Sequence, residues 1–200
     1  MADAPPEQRI PDPATMTPRQ LDRRERLIDA AISLLETEDY ENVQVKEVAD
    51  RAGVSLGTLY NYFFSKERLF AEALVKWAES LPANIRRRPL RSGSPADRLK
   101  EAVHRALRAF ERRPQMARLV NVLVTSGDSA AAGLLARMDR STSEAYMQAL
   151  SAVEPARARS MVDVVNAVFS LALRDWSLGR VTSRELHDRV DSAIDLVVGQ

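Results

Sequence analysis

The residues best suited to chemistry lie in one window, from Gln44 to Lys66, which reads QVKEVADRAGVSLGTLYNYFFSK. Small and medium apolar residues recur in it at helical spacing, and a tight turn is indicated at residues 53–55. This pattern is typical of a helix-turn-helix, in which two short helices pack at a steep angle. Because the second helix of such a unit enters the major groove of DNA, the window predicts recognition of DNA.

The second half of this window is rich in hydrogen-bonding groups. A helix capped by Ser55 leaves free backbone N–H groups at its start, and such groups favour phosphate. Hydroxyl and amide groups can bond base edges or phosphates, and Leu56 could contact a thymine methyl. Lys66, at the start of the next helix, is placed as a point charge for phosphate. The residues expected on the exposed face are Leu56, Gly57, Thr58, Tyr60, Asn61 and Tyr62.

Five short motifs within residues 20–75 stand at a specific combined spacing: Val48-Ala49, Gly53-Val54-Ser55, Gly57-Thr58-Leu59-Tyr60, Tyr62-Phe63 and Ser65-Lys66. In this combination they resemble the TetR family of transcriptional regulators. The resemblance implies an all-α homodimer with an N-terminal DNA-binding domain and a C-terminal domain that binds a ligand and dimerises. One departure is Phe64, where the family commonly has proline. It changes the link into the next helix and leaves the rest of the motif intact.

The resemblance also implies roles for individual residues. Family positions that usually hold phosphates match Gln44, Thr58, Tyr60 and Lys66. Family positions that lie near bases match Leu56, Gly57, Asn61 and Tyr62. The predicted DNA-binding set is completed by Lys46 and Ser55. Within the family, residues 43–44, 48–52 and 57–60 look similar to repressors of steroid catabolism, which bind bulky acyl-CoA-type ligands.

The net charge of the predicted DNA-binding segment does not itself support DNA binding. The whole chain has 29 Lys and Arg against 28 Asp and Glu. Residues 18–80 hold nine bases and twelve acids, whereas residues 81–118 hold eleven bases and three acids. Phosphate contacts must therefore come from a local cluster and from helix N-termini, and the salt dependence of DNA affinity should be modest. The bases of this cluster are Arg19, Arg23, Lys46 and Lys66. We expect the arginines of residues 86–91 to lie in a solvated loop.

Composition excludes several classes of protein. With no cysteine among 200 residues, the chain has no disulfide framework, cysteine-zinc site, iron-sulfur cluster or thiol redox sensor. Its most apolar stretch, residues 161–173, is interrupted by polar residues and is too short to span a bilayer. No signal-peptide core is visible near the start. We therefore expect a cytoplasmic protein with no membrane partner.

Helical patterns cover most of the chain, and no long alternating run predicts strands, so the expected fold class is all-α. We expect a disordered tail over residues 1–17 and the helix-turn-helix domain over 18–64. A connecting helix should follow over 65–81. Four Pro and Gly residues between 82 and 95 predict a loop there, and residues 96–200 should form a larger ligand-binding and dimerisation domain.

The C-terminal domain offers candidates for two further sites. An apolar ligand pocket could be lined by Phe110, Met116, Leu119, Leu123, Met138, Tyr146, Asn166, Phe169 and Trp176. Asn166 is either a polar anchor for ligand or, as the favoured alternative, a partner in an interhelical hydrogen bond. The last two helices carry more apolar residues than one contact needs, which predicts a two-fold dimer interface. Its residues would be Val162, Val165, Leu173, Leu186, Val190, Ile194 and Val197.

The function expected is a ligand-responsive repressor that binds a near-palindromic operator in double-stranded DNA as a homodimer and is released by a small apolar effector. The alternative is a helical protein-interaction module without specific DNA binding. An enzyme is not expected. Residues 53–57 match the G-x-S-x-G motif of serine hydrolases, but that motif requires a strand before the serine. His104 and His187 have no metal-ligand spacing, so neither a cofactor nor a metal is expected.

Overall fold

The computed structural model describes residues 12–87 and 93–199. The predicted all-α architecture is confirmed, since these ranges contain helices and no strand. A short 3-10 helix, Pro13–Thr15, precedes the α-helices. The α-helices are α1 (Pro18–Leu34), α2 (Val45–Ala52), α3 (Leu56–Phe63), α4 (Lys66–Arg87), α5 (Pro95–Arg112), α6 (Pro114–Thr125), α7 (Ser129–Ala149), α8 (Pro155–Ser177) and α9 (Ser183–Val198).

Side-chain caps fix where several helices begin. The Thr17 backbone N–H donates to Gln20 Oε1 at 2.8 Å, while Thr17 Oγ1 accepts from the Gln20 N–H, and Pro18 occupies the first helical position. A similar reciprocal cap joins Thr182 to Glu185 at the start of α9. These caps satisfy backbone N–H groups that a helix start otherwise leaves unpaired. They were predictable because the cap and its partner are three residues apart.

Two predicted boundaries are wrong. Residues 12–17 belong to no disordered tail: Asp12 Oδ1 accepts from the Ala14 N–H to cap the 3-10 helix, and Met16 is buried. Residues 1–11 lie outside the described residues. The connecting helix α4 runs through Pro82 to residue 87, so residues 82–87 are helical and do not belong to the loop expected over 82–95. A proline inside a helix removes one backbone hydrogen bond and need not end the helix. The solvated arginine loop predicted over residues 86–91 is wrong at residues 86 and 87, which belong to α4, and residues 88–91 lie outside the described residues.

Two apolar cores hold the helices together. The first joins α1–α4 to α6, with further buried residues from α5, α7 and α8, and includes the fully buried Leu27, Leu59 and Phe70. The second lies among α5, α7, α8 and α9 around Tyr146. Because α6 packs its buried residues into the first core, it ties the C-terminal helices to the helix-turn-helix.

Candidate functional site

The turn between α2 and α3 depends on one glycine. Gly53 has φ of 67°, in the left-handed region where a Cβ would be strained, and it ends α2. The Val54 N–H then donates to the Ala49 carbonyl oxygen at 3.0 Å. Ser55 caps α3 by accepting from the Thr58 N–H at 3.1 Å, and the two hydroxyl oxygens lie 2.8 Å apart. A helix and a turn precede Ser55, so it lacks the strand that a hydrolase nucleophile elbow requires.

The short helix α3 is amphipathic, with one side packed into the core and the other side exposed. Leu59 and Phe63 are fully buried, whereas Leu56 and Tyr60 expose 40% and 41% of their surfaces. Gln44, Lys46, Ser55, Gly57 and Asn61 are also exposed, and Thr58 is half-buried. The predicted exposure of Tyr62 is wrong, because only 7% of its surface is accessible. Residues 59, 62 and 63 share the buried side of a helix with 3.6 residues per turn.

Lys66 does not project freely from the protein. Its Nζ donates to the Tyr40 carbonyl oxygen at 2.6 Å and lies 4.3 Å from the centre of the Tyr40 ring. Burial lowers the pKa of Lys66, against the opposing effect of the nearby Glu41 and Glu67 carboxylates. The predicted free point charge is therefore corrected: this ammonium group joins the start of α4 to the loop before α2.

The bases of the N-terminal half divide into paired and unpaired groups. Lys76 binds Glu25 and Asp29, and Arg24 and Arg68 both bind the buried Glu72. Arg26 donates to the Ala52 carbonyl oxygen at 2.7 Å, and Arg51 donates to Ser33 Oγ at 3.0 Å. By contrast, three exposed bases form no ion pair with any described residue: Arg19, Arg23 and Lys46. These three bases are open to phosphate.

A cavity of about 710 Å³ lies among α5, α6, α7 and α8, with one wall residue from α4. Five of the predicted ligand residues line it: Phe110, Met138, Tyr146, Asn166 and Phe169. Sequence reasoning missed other wall residues, among them Leu135, Thr142 and Ser143. These lie on the same face of α7 as Met138 and Tyr146, so helical spacing was the signal that could have found them.

Four predicted ligand residues lie elsewhere. Met116, Leu119 and Leu123 are buried in the first core, on the side of α6 that faces the DNA-binding helices. Trp176 is half-buried, and its Nε1 donates to Ser183 Oγ at 3.1 Å. For the three residues of α6 the cause is that the apolar residues of this helix point to two sides, and only tertiary packing decides which side meets the cavity.

Polar groups in the cavity wall are mostly paired within the protein. Asn166 Nδ2 donates to Ser143 Oγ at 2.9 Å, which is the interhelical bond favoured from the sequence. Asn121 Nδ2 donates to Ser177 Oγ at 2.6 Å. The Tyr146 hydroxyl is fully buried and has no hydrogen-bond partner among residues 12–87 and 93–199, and this burial raises its pKa. Burial also raises the pKa of Asp139, whose outer surface is exposed at the rim.

The predicted dimer residues do not form a surface. Six of the seven are buried inside the protein's own cores: Val162, Val165, Leu173, Leu186, Val190 and Ile194. Val197 is half-buried. They face inward because α8 and α9 pack against each other and against α5. In this part of the chain the exposed large apolar residues are instead Val164 and Leu171 on α8 and Leu178 directly after it, spaced seven apart, and Leu196 on α9.

The two histidines of the chain lie at the contact between α5 and α9. The rings of His104 and His187 pack edge to face with their centres 4.7 Å apart, and each pairs with a carboxylate across the α5–α9 contact, Asp191 and Glu111 respectively. Across residues 12–87 and 93–199, no group of three or more His, Asp or Glu could hold a metal ion. Within the same ranges, no helix is long and apolar enough to cross a membrane.

Both halves of the chain match known protein families. Residues 27–73 match the tetR family of bacterial regulatory proteins, and residues 93–197 match the tetracyclin repressor-like C-terminal domain. The HTH-type transcriptional repressor KstR of Mycolicibacterium smegmatis is 32% identical over 181 residues, or 90% of this chain and 89% of the relative. KstR of Mycobacterium tuberculosis is 29% identical over 181 residues, covering 90% and 82%.

The fold of this chain is also similar to that of solved structures. A TetR transcriptional regulator from Rhodococcus sp. RHA1 is 27% identical with a TM-score of 0.77, covering 90% of this chain and 97% of that one. FadR of Thermus thermophilus, solved with lauroyl-CoA, has a TM-score of 0.69 at 18% identity and covers 87% and 92%, a likeness of fold.

A helix-turn-helix joined to a helical domain with an internal pocket defines the class of ligand-responsive DNA-binding regulators. This chain belongs to the tetR family of bacterial regulatory proteins. The family predicted from residues 44–66 is therefore confirmed, and the relatives support the predicted function of a ligand-responsive DNA-binding repressor.

Proposed function

We propose that the protein is a cytoplasmic repressor that binds a near-palindromic operator as a homodimer and leaves it when a small, largely apolar effector fills the cavity. It has no catalytic role in this proposal. The observation that carries the proposal is the position of α6. One side of this helix packs into the core of the DNA-binding half, and its other side lines the cavity.

Contacts to DNA would come from the exposed side of α3 and from the residues around it. Leu56, Gly57, Tyr60 and Asn61 would face bases or phosphates, and the N-terminus of α3 would bind a phosphate through its backbone. Lys46, Gln44, Ser55 and Thr58 would hold the backbone. Tyr62 and Lys66 would act mainly by positioning α3, since one is buried and the other is bound to Tyr40.

The coupling would run through α6. Its buried residues Met116, Leu119 and Leu123 lie against the N-terminal core, and Val120 and Asn121 lie in the cavity wall. Arg118 of α6 donates to both carboxylate oxygens of Asp39, at 2.8 and 2.7 Å. Because these contacts share one rigid helix, an effector that displaces α6 would move the loop before α2. The effector can weaken DNA binding only by its difference in affinity for the two states.

The dimer would use the exposed apolar stripe of α8. Val164, Leu171 and Leu178 expose between 45% and 52% of their surfaces, and their spacing of seven keeps them on one face. Pairing α8 and α9 with the same helices of a second copy would bury this stripe in a four-helix arrangement. The two α3 helices would then need to lie about 34–36 Å apart to enter successive major grooves.

The nature of the effector follows from the cavity. Its volume of about 710 Å³ and its walls of Phe, Leu, Met and Ala suit a bulky apolar body. The KstR relatives and the likeness to repressors of steroid catabolism favour such a ligand. FadR structures of similar fold hold lauroyl-CoA and stearoyl-CoA, which supports an acyl-CoA-type molecule as one form of it.

The test is selection of binding sites from random-sequence DNA by the full-length protein, followed by affinity measurement on the enriched site. We expect a near-palindromic site. Lys46→Ala should weaken binding to all sequences alike and lower the salt slope by about one, whereas Asn61→Ala should relax the preference at one position of each half-site. Arg159→Ala, on the exposed surface of α8, is the control and should change neither. No enriched site would overturn the proposal and favour the protein-interaction module.

A further inference from the structure

The mouth of the cavity, the part of its wall that solvent reaches, runs along the outer face of α8. Five residues of this helix both line the cavity and are exposed: Asp163, Ala167, Ser170, Leu171 and Arg174. Their spacings of three, four, seven and eleven residues keep them on one face of a helix. Val165 and Ala172 lie on the opposite face, buried in the second core. The cavity is therefore open on the side of α8 that faces away from this core.

Large apolar side chains frame this mouth and are themselves exposed. Val124 of α6 exposes 66% of its surface and Leu171 of α8 exposes 48%, and both line the cavity. Leu171 also belongs to the exposed apolar stripe that it forms with Val164 and Leu178. The cavity mouth and the stripe are thus one continuous surface. An apolar surface of this kind, bordered by polar residues, is typical of a place that another molecule covers.

Two charged residues on this face indicate what covers it. Asp163 and Arg174 line the mouth, and neither forms an ion pair with any residue that the structure describes, whereas the adjacent Asp175 binds Arg180 and Arg189. Asp163 and Arg174 lie eleven residues apart, about 16 Å along the helix, which is too far for them to pair with each other. If a second copy of α8 runs antiparallel across a two-fold axis, Asp163 faces the partner's Arg174, and Arg174 faces the partner's Asp163.

The residues at the middle of this face allow the two helices to approach. A pairing of residue 163 with residue 174 places the two-fold axis between residues 168 and 169. Ala167 and Ser170, the residues of the outer face on either side of that point, are small and exposed, and small side chains let helix axes come close. Opposite charges across an interface fix its register. Both shape and charge therefore fit a second copy of this chain.

We propose that the α8 helix of a second copy covers the mouth of the cavity, in an antiparallel pairing of Asp163 with the partner's Arg174, so that the effector site is complete only in the dimer. This inference rests on the dimer and the effector cavity of the proposed function and does not depend on the operator. Because the effector would be enclosed by both copies, its binding and dimerisation are linked, and each strengthens the other by the same free energy.

The first test uses the intact wild-type protein and an uncharged apolar probe, N-phenyl-1-naphthylamine, which fluoresces strongly in apolar surroundings. The dimer dissociation constant is measured by fluorescence-detected analytical ultracentrifugation with and without saturating probe. We expect the dimer to bind the probe about tenfold more tightly than the monomer does, and the probe, with two sites, to tighten the dimer about a hundredfold. An unchanged dissociation constant would overturn the inference, as would a failure of the protein to bind the probe.

The second test reverses the two charges. Asp163→Arg and Arg174→Asp each place like charges together across the axis, so each should weaken the dimer at least tenfold and should weaken probe binding where the variant is monomeric. The variant that carries both substitutions exchanges the charges and should restore the dimer and the probe affinity. Arg108→Asp, exposed on α5, is the control and should change neither. The pairing is wrong if the double variant stays as weak as the single ones.

The third test uses the absence of cysteine from the chain. Ala167→Cys introduces a single thiol beside the proposed axis, and a bismaleimide that spans about 8 Å, the distance between closely packed helix axes, should join two copies. Ala136→Cys, exposed on α7, is the control and should not be joined. No joining through residue 167 would contradict the antiparallel pairing.

The results also separate this inference from the proposed function. A monomeric variant that binds the probe as tightly as the wild-type dimer would show that no second copy covers the mouth, and would leave the repressor standing. A wild-type protein that shows the linkage and yet selects no specific DNA site would contradict the repressor and leave the shared effector site standing.

Discussion

The two halves of the protein use opposite arrangements of polar and apolar groups. In the DNA-binding half, Leu59 and Phe63 fill the core completely, and the hydrogen-bonding groups of α3 lie outside. In the C-terminal half, packing leaves a cavity of about 710 Å³ whose wall contains Asn166, Ser143 and Tyr146. A helix that reads DNA needs a rigid support, whereas a sensor needs a space that its own side chains do not fill. The difference predicts how each half responds to substitution.

The largest effect should come from removing support beneath α3. Leu59→Ala empties a fully buried site and should lower the free energy of unfolding by about 2–5 kcal/mol, with loss of DNA binding. Leu135→Ala removes a side chain that already borders the cavity, so its cost should fall at or below the lower end of that range. Urea unfolding measures both. Equal losses would show that the cavity half is packed as tightly as the DNA-binding half.

A charge on the exposed stripe of α8 should break the dimer while sparing the fold. Leu178 exposes 52% of its surface in the protomer, so Leu178→Glu should leave the helical circular dichroism spectrum unchanged. Operator affinity should fall by about a hundredfold because two linked sites bind far better than one. Analytical ultracentrifugation reports the mass, and Ala132→Glu, exposed on α7, is the control. A Leu178→Glu protein that remains dimeric would place the interface elsewhere.

The Arg118–Asp39 contact between the two halves should affect the response of DNA binding to a ligand more than it affects the stability of the fold. Arg118 and Asp39 are both partly exposed, so Arg118→Ala should cost only about 0.2–1 kcal/mol of stability. It should reduce the drop in operator affinity caused by a cavity ligand. A double-mutant cycle with Asp39→Ala isolates the pair, because a variant lacking both partners should respond as each single variant does. An unaltered response in all three variants would remove this pair from the coupling.

A pH-dependent effect concerns Asp128, which caps α7 and accepts from Ser65 Oγ of the DNA-binding half at 3.1 Å. The Ala131 N–H, and then the Ser65 hydroxyl and the Ala130 N–H, hold the pKa of this carboxyl below its ordinary value of 3.8. The carboxylate therefore stabilises the folded protein at pH values above 3.8. This stabilisation is lost as the pH falls through the lower pKa that the carboxyl has in the folded protein.

Asp128→Ala should accordingly cost about 1 kcal/mol at pH 7. The difference from wild type should shrink below pH 3.8, where the carboxyl becomes protonated. Asp128→Asn is the control, because the amide can still cap the helix and does not titrate in this range. Urea unfolding at several pH values measures this, and a difference that stays constant into acid would contradict the role given to the carboxylate.

The sequence predicts local features of the fold better than its cavities and surfaces. Capping pairs such as Thr17 with Gln20 and the left-handed turn at Gly53 depend on residues close in the chain. The orientation of α8 does not, because apolar residues lie on both its sides and only tertiary packing decides that Val165 is buried and Val164 exposed. The burial of the Tyr146 hydroxyl, which has no hydrogen-bond partner among the described residues, could not be predicted from the sequence for the same reason. Lys66 was misplaced because the Tyr40 carbonyl that binds it is 26 residues away in the chain.

The central claim is that filling the cavity weakens DNA binding through α6, and a side chain of the protein can do the filling. Ala145 is buried in the cavity wall, so Ala145→Trp should occupy the space, while Gly133→Trp on the open side of α7 is the control. Operator affinity of the full-length dimer is the measurement. We predict a loss of about tenfold for Ala145→Trp, within the usual range of coupling, and none for Gly133→Trp. A folded Ala145→Trp dimer that keeps full operator affinity would contradict the account.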